Sequence, residues 1–572
     1  MSTANVNAST NIAEAGGGEI LVRQLELHGV DTVFMVPGES FLPCIDALST
    51  RQQRIRTVTC RQEGGAAYAA EAYGKLSGKP GVCFVTRGPG ATNASIGLHV
   101  ARQDGTPMIL FVGQIGSDTT ERACFQEVDY RQMFGPVAKW VAQIDRTDRI
   151  PEFVARAFAE CRSGRPGPVV LALPEDTLWG NAAVADVAPF ERAHPRPHAG
   201  EIARLEELLA KAERPFVIAG GTGWTDSARA DLAAFAERFD LPVGVSWRRH
   251  EVFDNRHPNF AGHVGYGTDR ALAERIAKAD LLISVCSRLD EPTTEGYKLV
   301  ESPLPRQTLV HIHPDGNELG RVYRPALAIN ADPVGIAGAL AQMRPAAPVR
   351  WAGLAKAANA DYQRSRIAPD CDSALDMSRI CLHMADVLPE DTFVSVGAGN
   401  FALFPHRFMQ FSHLGTQASP ICGSMGYGLP AAIAAKLAFP ERETIAFAGD
   451  GCFQMTMQEI GTAVQQRLGI VILVCNNQAW GTIRAHQERE YPARSFALDL
   501  ENPDFAALAR SYGVSGEVVE KTEDFAAAFQ RARDYAGKNQ RPALIELRYD
   551  VEYITPDTRL SQITAAAQAA NA

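Results

Sequence analysis

Several things are missing from this chain of 572 residues, and each absence removes a class of function. No apolar run approaches the ~18 residues that a membrane-spanning helix needs. The longest, such as Gly469–Cys475, suit buried strands. There is no basic block and no aromatic-basic stripe, and the formal net charge is −10, which argues against nucleic acid and anionic membrane surfaces. The eleven cysteines include no Cys-x-x-Cys pair, and no His/Cys cluster has zinc spacing. Cys83, Cys286 and Cys475 lie inside apolar runs, so the cysteines read as small buried hydrophobes in a reducing cytoplasm. His311 and His313 fall on one face of a strand-like run, where a structural role is the better reading. Residues 1–18 are polar and rich in Ser, Thr, Asn, Ala and Gly, without the charged-then-apolar layout of a secretory signal, and are expected to form a disordered tail.

What is present is the composition of a soluble globular protein, 46% apolar and 21% charged, in a chain too long for one ordinary core. Short Val/Ile/Leu-rich runs alternate with Ala-rich helical stretches in three blocks. That texture predicts an α/β protein with three parallel-sheet domains, at 19–187, 201–343 and 373–560. The Pro-bearing stretch 188–200 and the Ala/Pro/Arg-rich stretch 344–372 read as linkers, and 561–572 as a C-terminal tail. Strands are expected at Thr32–Val36, Ile55–Cys60, Gly81–Thr86, Met108–Val112 and Val169–Leu173 in the first block. The middle block should have them at Phe216–Ala219, Pro242–Val245, Leu281–Val285 and Thr308–Ile312. The third should have them at Thr392–Val396, Thr444–Ala448, Ile470–Cys475 and Ala543–Arg548.

In the third block, Gly449-Asp450-Gly451 follows one strand, a helical stretch Gln454–Leu468 comes next, and a second strand ends at Asn476-Asn477. Asp450 and Asn477, 27 positions apart, therefore stand at the carboxyl ends of two strands joined by one crossover, where open α/β sheets bind ligands. A carboxylate and an amide oxygen are hard ligands that, with a backbone carbonyl and phosphate oxygens, suit Mg²⁺ on a diphosphate. Gly449 and Gly451 let the backbone come close to phosphates. A lone Gly-Asp-Gly or Asn-Asn is common; the two at this spacing are far more specific.

This pattern resembles the cofactor motif of thiamine-diphosphate enzymes, and the resemblance extends over almost the whole chain to the acetohydroxyacid synthase, pyruvate oxidase and benzoylformate decarboxylase group. It implies that Asp450, Asn477 and the Ala479 carbonyl hold magnesium. It further implies that Gly397, Ala398, Gly399, Gly423, Met425, Gly449, Gly451, Trp480 and Gly481 touch the cofactor. Arg61-Gln62-Glu63-Gly64-Gly65-Ala66-Ala67-Tyr68 resembles the group's catalytic glutamate helix. There the matching glutamate, here Glu63, is a largely buried acid with raised pKa that bonds the aminopyrimidine and so promotes loss of the thiazolium proton. Gly88-Pro89-Gly90 resembles the group's glycine loop, and Gln114 matches a glutamine facing the reacting carbonyl. Gly423-Ser424-Met425-Gly426-Tyr427-Gly428 matches the segment whose bulky apolar residue, Met425, bends the cofactor. Some relatives bind FAD across the middle domain, near positions matched by Ser287-Arg288 and Gly262-His263-Val264-Gly265, so FAD is a candidate second cofactor. In this group the first block of one subunit faces the third block of another, implying a homodimer or homotetramer.

Three departures bear on the substrate. Glu39 in Pro37-Gly38-Glu39-Ser40 stands where the synthases usually have glycine. It reads either as a second pocket carboxylate or as a solvent-facing turn acid. His486 stands where the synthases favour a tryptophan that selects the larger acceptor, which argues against branched-chain amino-acid biosynthesis. Arg87 replaces a small residue before Gly-Pro-Gly, either to bind a carboxylate or to form a surface ion pair. The leading expectation is a cytoplasmic 2-oxo acid decarboxylase and carboligase using pyruvate and a carbonyl acceptor. Gln114, Glu39 and His486 are the candidates for handling protons and acceptor. Hydroxyketone or diketone cleavage, a flavin-linked oxidation, and a noncatalytic nucleotide-binding protein stay open as alternatives.

Overall fold

The computed structural model describes residues 14–571. The chain divides into two compact units between Ala193 and His194. The first is built on a six-stranded parallel sheet in the spatial order Arg56–Thr59, Thr32–Met35, Gly81–Val85, Met108–Gln114, Pro168–Pro174, Trp140–Gln143. The second unit holds two such sheets. One runs Phe260–His263, Val243–Val245, Pro215–Ala219, Leu281–Val285, Thr308–His313, Leu327–Asn330. The other runs Gln417–Ala418, Phe393–Val396, Thr444–Gly449, Val471–Asn476, Ala543–Arg548, Ser515–Val519. All three sheets are parallel, as the alternating texture predicts. Their inner strands are fully buried, which is why they stand out as continuous apolar runs.

Within the three parallel sheets, the strands that the apolar pattern does not reveal are Trp140–Gln143, Phe260–His263, Leu327–Asn330, Gln417–Ala418 and Ser515–Val519, and every one is a sheet edge. An edge strand has one unpaired side and needs fewer apolar residues: Leu327–Asn330 and Ser515–Val519 each bury a single residue. The expected helix Gln454–Leu468 is instead two short helices, Asp450–Gln454 and Ile460–Gln465, separated by a tight turn at Met457–Glu459.

Both expected tails need correction. Residues 1–13 lie outside the described residues, but Glu14–Gly16 pairs antiparallel with Asn181–Ala183, and a helix begins at Gly17. Its glycines mark close packing rather than a loose tail. A Cβ on Gly17 would lie 2.2 Å from the Thr177 carbonyl oxygen, and one on Gly18 2.4 Å from Pro43. At the other end, Leu560–Asn571 is a helix. Leu560 and Ile563 pack with Ala485 and Ile554, and Thr564 Oγ1 donates to Glu488 at 2.8 Å. The stretch 344–372 likewise contains the helix Leu354–Ser365, whose buried Tyr362 meets Phe260 edge-on, with Trp351 Nε1 donating to the Phe239 carbonyl. These segments are short on large apolar residues, and a few anchors fix each one. Among the described residues no helix is long and apolar enough to cross a membrane.

Candidate functional site

In the first unit the candidate residues gather at the carboxyl edge of one sheet. Glu39 follows Thr32–Met35, Glu63 follows Arg56–Thr59, Arg87 follows Gly81–Val85, Gln114 ends Met108–Gln114, and Glu175 follows Pro168–Pro174. Parallel sheets bind ligands at this edge. Glu63 opens the helix Glu63–Ser77, capped by Gln62, whose side chain accepts from the Gly65 N–H at 3.1 Å. The body of that helix is nearly all glycine and alanine because the helix Pro89–Asp104 lies against it. A Cβ on Gly97 would come within 2.4 Å of the Ala67 Cβ. The close approach sets the loop Gly88–Gly90 beside Glu63. Asn93 Nδ2 donates to Glu63 Oε2 at 2.9 Å, and a Cβ on Gly90 would stand 3.4 Å from Oε1. Glu63 is half-buried rather than largely buried within its own chain, because it lies at the open rim of the sheet.

Gln114 is buried, and both ends of its amide hold backbone: Nε2 donates to the Val128 carbonyl at 2.8 Å and Oε1 accepts from Ile115 N–H at 3.0 Å. It thereby fixes the loop that follows. Arg87 is not the surface ion pair of one reading. Its guanidinium is buried, with Nη1 on Glu175, Nη2 on Glu39 at 3.3 Å and Nε on the Phe125 carbonyl at 3.3 Å. Glu39 itself is exposed.

In the second unit, Asp450 stands at the start of the short helix Asp450–Gln454 and is 3% exposed. Asn502 Nδ2 donates to its Oδ2 at 2.8 Å and to Asn476 Oδ1 at 2.9 Å, tying the two strand ends together. Asn477 Oδ1 accepts only a long 3.3 Å bond from Ala479 N–H, and its Nδ2 donates to Tyr549 Oη at 3.0 Å. Burial pushes the Asp450 carboxyl up, against the downward pull of Asn502 and nearby backbone N–H groups. Among the described residues no cationic side chain pairs with Asp450. A buried carboxylate with acceptor capacity and no counter-ion, beside an amide oxygen and at the foot of glycine turns, fits a hard divalent cation carrying phosphates. The turns are held from behind. Cβ atoms on Gly449 and Gly399 would each meet Phe401 at 2.9 Å, on Gly397 the Cys452 sulfur at 2.7 Å, and on Gly451 the Trp480 ring at 2.4 Å. Cys452 Sγ also accepts from Gly426 N–H at 3.1 Å, so one thiol spaces the 397–399 and 423–428 segments. Gly423 has φ +70° with open space where a side chain would be, and Met425 is exposed. Asn502, Tyr549, Cys452 and Phe401 were not visible from the sequence. The only hint was the Asn502-Pro503 turn before the helix Phe505–Ser511.

A cavity of about 720 Å³ in the same unit reaches from Ala398–Asn400, Gly423 and Thr482 to Trp247, Arg248 and Gly262–Thr268. His486 lies on its wall, exposed on the helix Gly481–Glu490 and bonded to Arg489 at 3.0 Å. Three more wall residues are histidines in ring contact: His250 stacks on His406 with centroids 4.3 Å apart and meets His263 at a tilt, 4.0 Å away. Burial lowers all three, His263 to about 3. Unfolded histidines bind protons near 6.5 and these do not, so stability should rise with pH between about 3 and 6.5 and level off above. The loss from pH 7 to 5 should be about 1–2 kcal/mol per histidine. Urea unfolding at the two pH values checks this, and His406→Gln should shrink the difference.

Comparison with known proteins follows the same division. The chain matches the thiamine pyrophosphate enzyme N-terminal TPP binding domain over 15–133, the central domain over 202–340 and the C-terminal TPP binding domain over 397–547. It is 32% identical over 535 residues to the acetolactate synthase large subunit of Parasynechococcus marenigrum, covering 90% of this chain and 85% of that one. The acetolactate synthase large subunit of Corynebacterium glutamicum is 32% identical over 549 residues (93% and 86%). The sulfoacetaldehyde acetyltransferase of Alcaligenes xylosoxydans is 29% identical over 561 residues (92% of each). The chain belongs to the thiamine pyrophosphate enzyme family, within which it is acetolactate synthase-like.

Proposed function

We propose that this enzyme joins two carbonyl compounds: it decarboxylates pyruvate and transfers the two-carbon unit to a second carbonyl, giving a 2-hydroxy ketone or 2-hydroxy acid. The observation that carries the reading is the buried, uncompensated Asp450 beside Asn477 at two adjacent strand ends. Asp450, Asn477 and the Ala479 carbonyl are the groups that would hold Mg²⁺, with the turns at Gly397–Gly399, Gly423 and Gly449–Gly451 around the cofactor. Trp480 and Gly481 would close the diphosphate end. When bound, thiamine diphosphate supplies a carbon nucleophile and an electron sink. The protein's part is position and proton handling. Glu63, steadied by Asn93 at Oε2, would exchange a proton with the cofactor's ring through Oε1, the oxygen facing Gly90. Gln114 holds its loop through Val128, Met425 would support the bound cofactor, and Glu39 and His486, each on its own unit, are the groups we assign to handling the acceptor and its protons.

FAD is proposed as a second ligand. Gly262, His263, Val264 and Gly265 line the cavity, whereas Ser287 and Arg288 do not, Arg288 being turned to Glu318 at 3.5 Å. A homodimer or homotetramer is proposed, to be read from the solution mass. Eleven free cysteines support a reducing, cytoplasmic setting. The test of function is NMR product analysis of the protein with thiamine diphosphate, Mg²⁺ and pyruvate, with and without acetaldehyde. Acetolactate or acetoin is expected; no loss of pyruvate while the cofactor binds would overturn pyruvate as donor.

A further inference from the structure

Arg87 is an unusual residue to bury at the edge of a parallel sheet. A guanidinium there must be paired, and the two carboxylates that pair it are very unequal. Glu175 grips Nη1 closely and is about one-third exposed. Glu39 touches Nη2 at 3.3 Å and is 66% exposed, so it gives up little when it leaves. The loops carrying Arg87 and Glu39 are locked together beneath this pair. Ser40 Oγ and Thr86 Oγ1 share a 2.9 Å hydrogen bond, and a Cβ on Gly38 would strike the Thr86 Cβ at 2.5 Å. Thr86 in turn lies beside Gly90, whose neighbour is Glu63. The arginine, its weak partner and Glu63 thus follow the carboxyl ends of three neighbouring strands.

We infer that Arg87 is a specificity-determining residue that docks the carboxylate of the acceptor, with Glu39 occupying that position until an acidic acceptor displaces it. The inference rests on the carboligase reading above and adds the side chain that would hold the acceptor's carboxylate and the one that competes for it. The donor is a poor candidate for this contact. Its carboxylate leaves as carbon dioxide, and a guanidinium clamped on that group would stabilise the substrate more than the transition state. The acceptor's carboxylate is unchanged in the product, and binding it costs the reaction nothing. In the full reaction the donor loses carbon dioxide, and a bond forms between its former carbonyl carbon and the acceptor's carbonyl carbon. The acceptor oxygen takes one proton from solvent. Glu175 keeps the guanidinium in place throughout, so Nη2 presents a fixed, desolvated donor to a planar carboxylate.

Pyruvate and acetaldehyde differ as acceptors by one carboxylate, so the ratio of acetolactate to acetoin, read by NMR with both present, isolates the contact from the overall rate. Arg87→Gln should move that ratio toward acetoin at least about tenfold, and Arg87→Lys by less. Glu39→Gln, which removes the competitor, should move it several-fold toward acetolactate. A ratio within twofold of wild type in Arg87→Gln, or Glu39→Gln moving it in the same direction as Arg87→Gln, overturns the inference. If Arg87→Gln fails to fold, Glu39→Gln decides alone. A second readout needs no turnover: saturation-transfer NMR of lactate, which keeps the carboxylate but lacks the ketone. Its signal should be present with wild-type protein, stronger with Glu39→Gln, weaker with Arg87→Lys and lost with Arg87→Gln. If wild type consumes no pyruvate yet shows this pattern, the donor assignment falls and the acid-docking role stands. If pyruvate is consumed and the pattern is absent, the docking role falls.

Discussion

Asp450→Ala is expected to weaken Mg²⁺-dependent binding of thiamine diphosphate by more than about a hundredfold, with little loss of folded stability in the cofactor-free protein. The two halves of this expectation come from one fact. Asp450 is almost wholly buried, and burial raises its pKa because no cation among the described residues offsets the charge. A carboxylate kept for the fold would be neutralised by an arginine or lysine, as Asp104 is by Lys75. Among the described residues the donors to Asp450 are neutral, Asn502 and backbone N–H groups, which orient it without cancelling it. Its removal should therefore cost the metal site far more than the core. Titration calorimetry with cofactor and Mg²⁺, beside a thermal melt without them, separates the effects. Retained affinity would show that the metal lies elsewhere, and a melting point lowered by more than about 8 °C would make Asp450 a structural residue. Asn502→Ala should fall between, weakening cofactor binding about 10–100-fold, if it orients Asp450 as the proposed ligand without being one itself.

The difference between Asp450 and Asn502 also marks how much of the site was legible. Asp450 and Asn477 could be read because each closes a strand whose burial on both faces leaves an unbroken apolar run, so their positions at the sheet edge follow from the pattern. Asn502 belongs to a loop, and a loop's position is set by long-range contacts that no local period records. Here the turn Gln478–Trp480 pairs with Leu498–Leu500, which swings Asn502 over both strand ends. The same physics explains the fold. In the three parallel sheets the inner strands were plain, and of the six edge strands only Arg56–Thr59 was. The glycines at Gly17 and Gly18 read as slack because composition does not distinguish a glycine that moves freely from one against which backbone is packed at van der Waals contact. For Arg87 two readings stood open, carboxylate binding or surface pairing. The structure removed the surface by burying the guanidinium between Glu39 and Glu175.

Glu63→Gln is expected to preserve the fold and leave cofactor affinity within a few-fold, while slowing hydrogen–deuterium exchange at the cofactor's thiazolium carbon by about 10²–10⁴-fold. The substitution is nearly isosteric. The Asn93 Nδ2 bond to Glu63 Oε2 can pass to the new amide oxygen, and the helix cap at Gln62 does not involve this side chain. What glutamine cannot do is exchange a proton. If Glu63 only favoured the positive end of its helix, losing the charge would cost about 0.3–1 kcal/mol of stability and leave the exchange rate alone. If it holds the proton that the cofactor's ring must gain, the stability change stays small and the exchange rate collapses. Glu63→Asp separates charge from reach: it keeps the ionisable group but withdraws it by one methylene from the oxygen position next to Gly90. It should recover part of the exchange rate if proton transfer is the role, and none if a precise hydrogen bond at full length is required. An unchanged rate in Glu63→Gln, measured by quenching the holoenzyme in acid and reading the thiazolium proton by NMR, would remove Glu63 from the chemistry and leave it a helix-terminal charge.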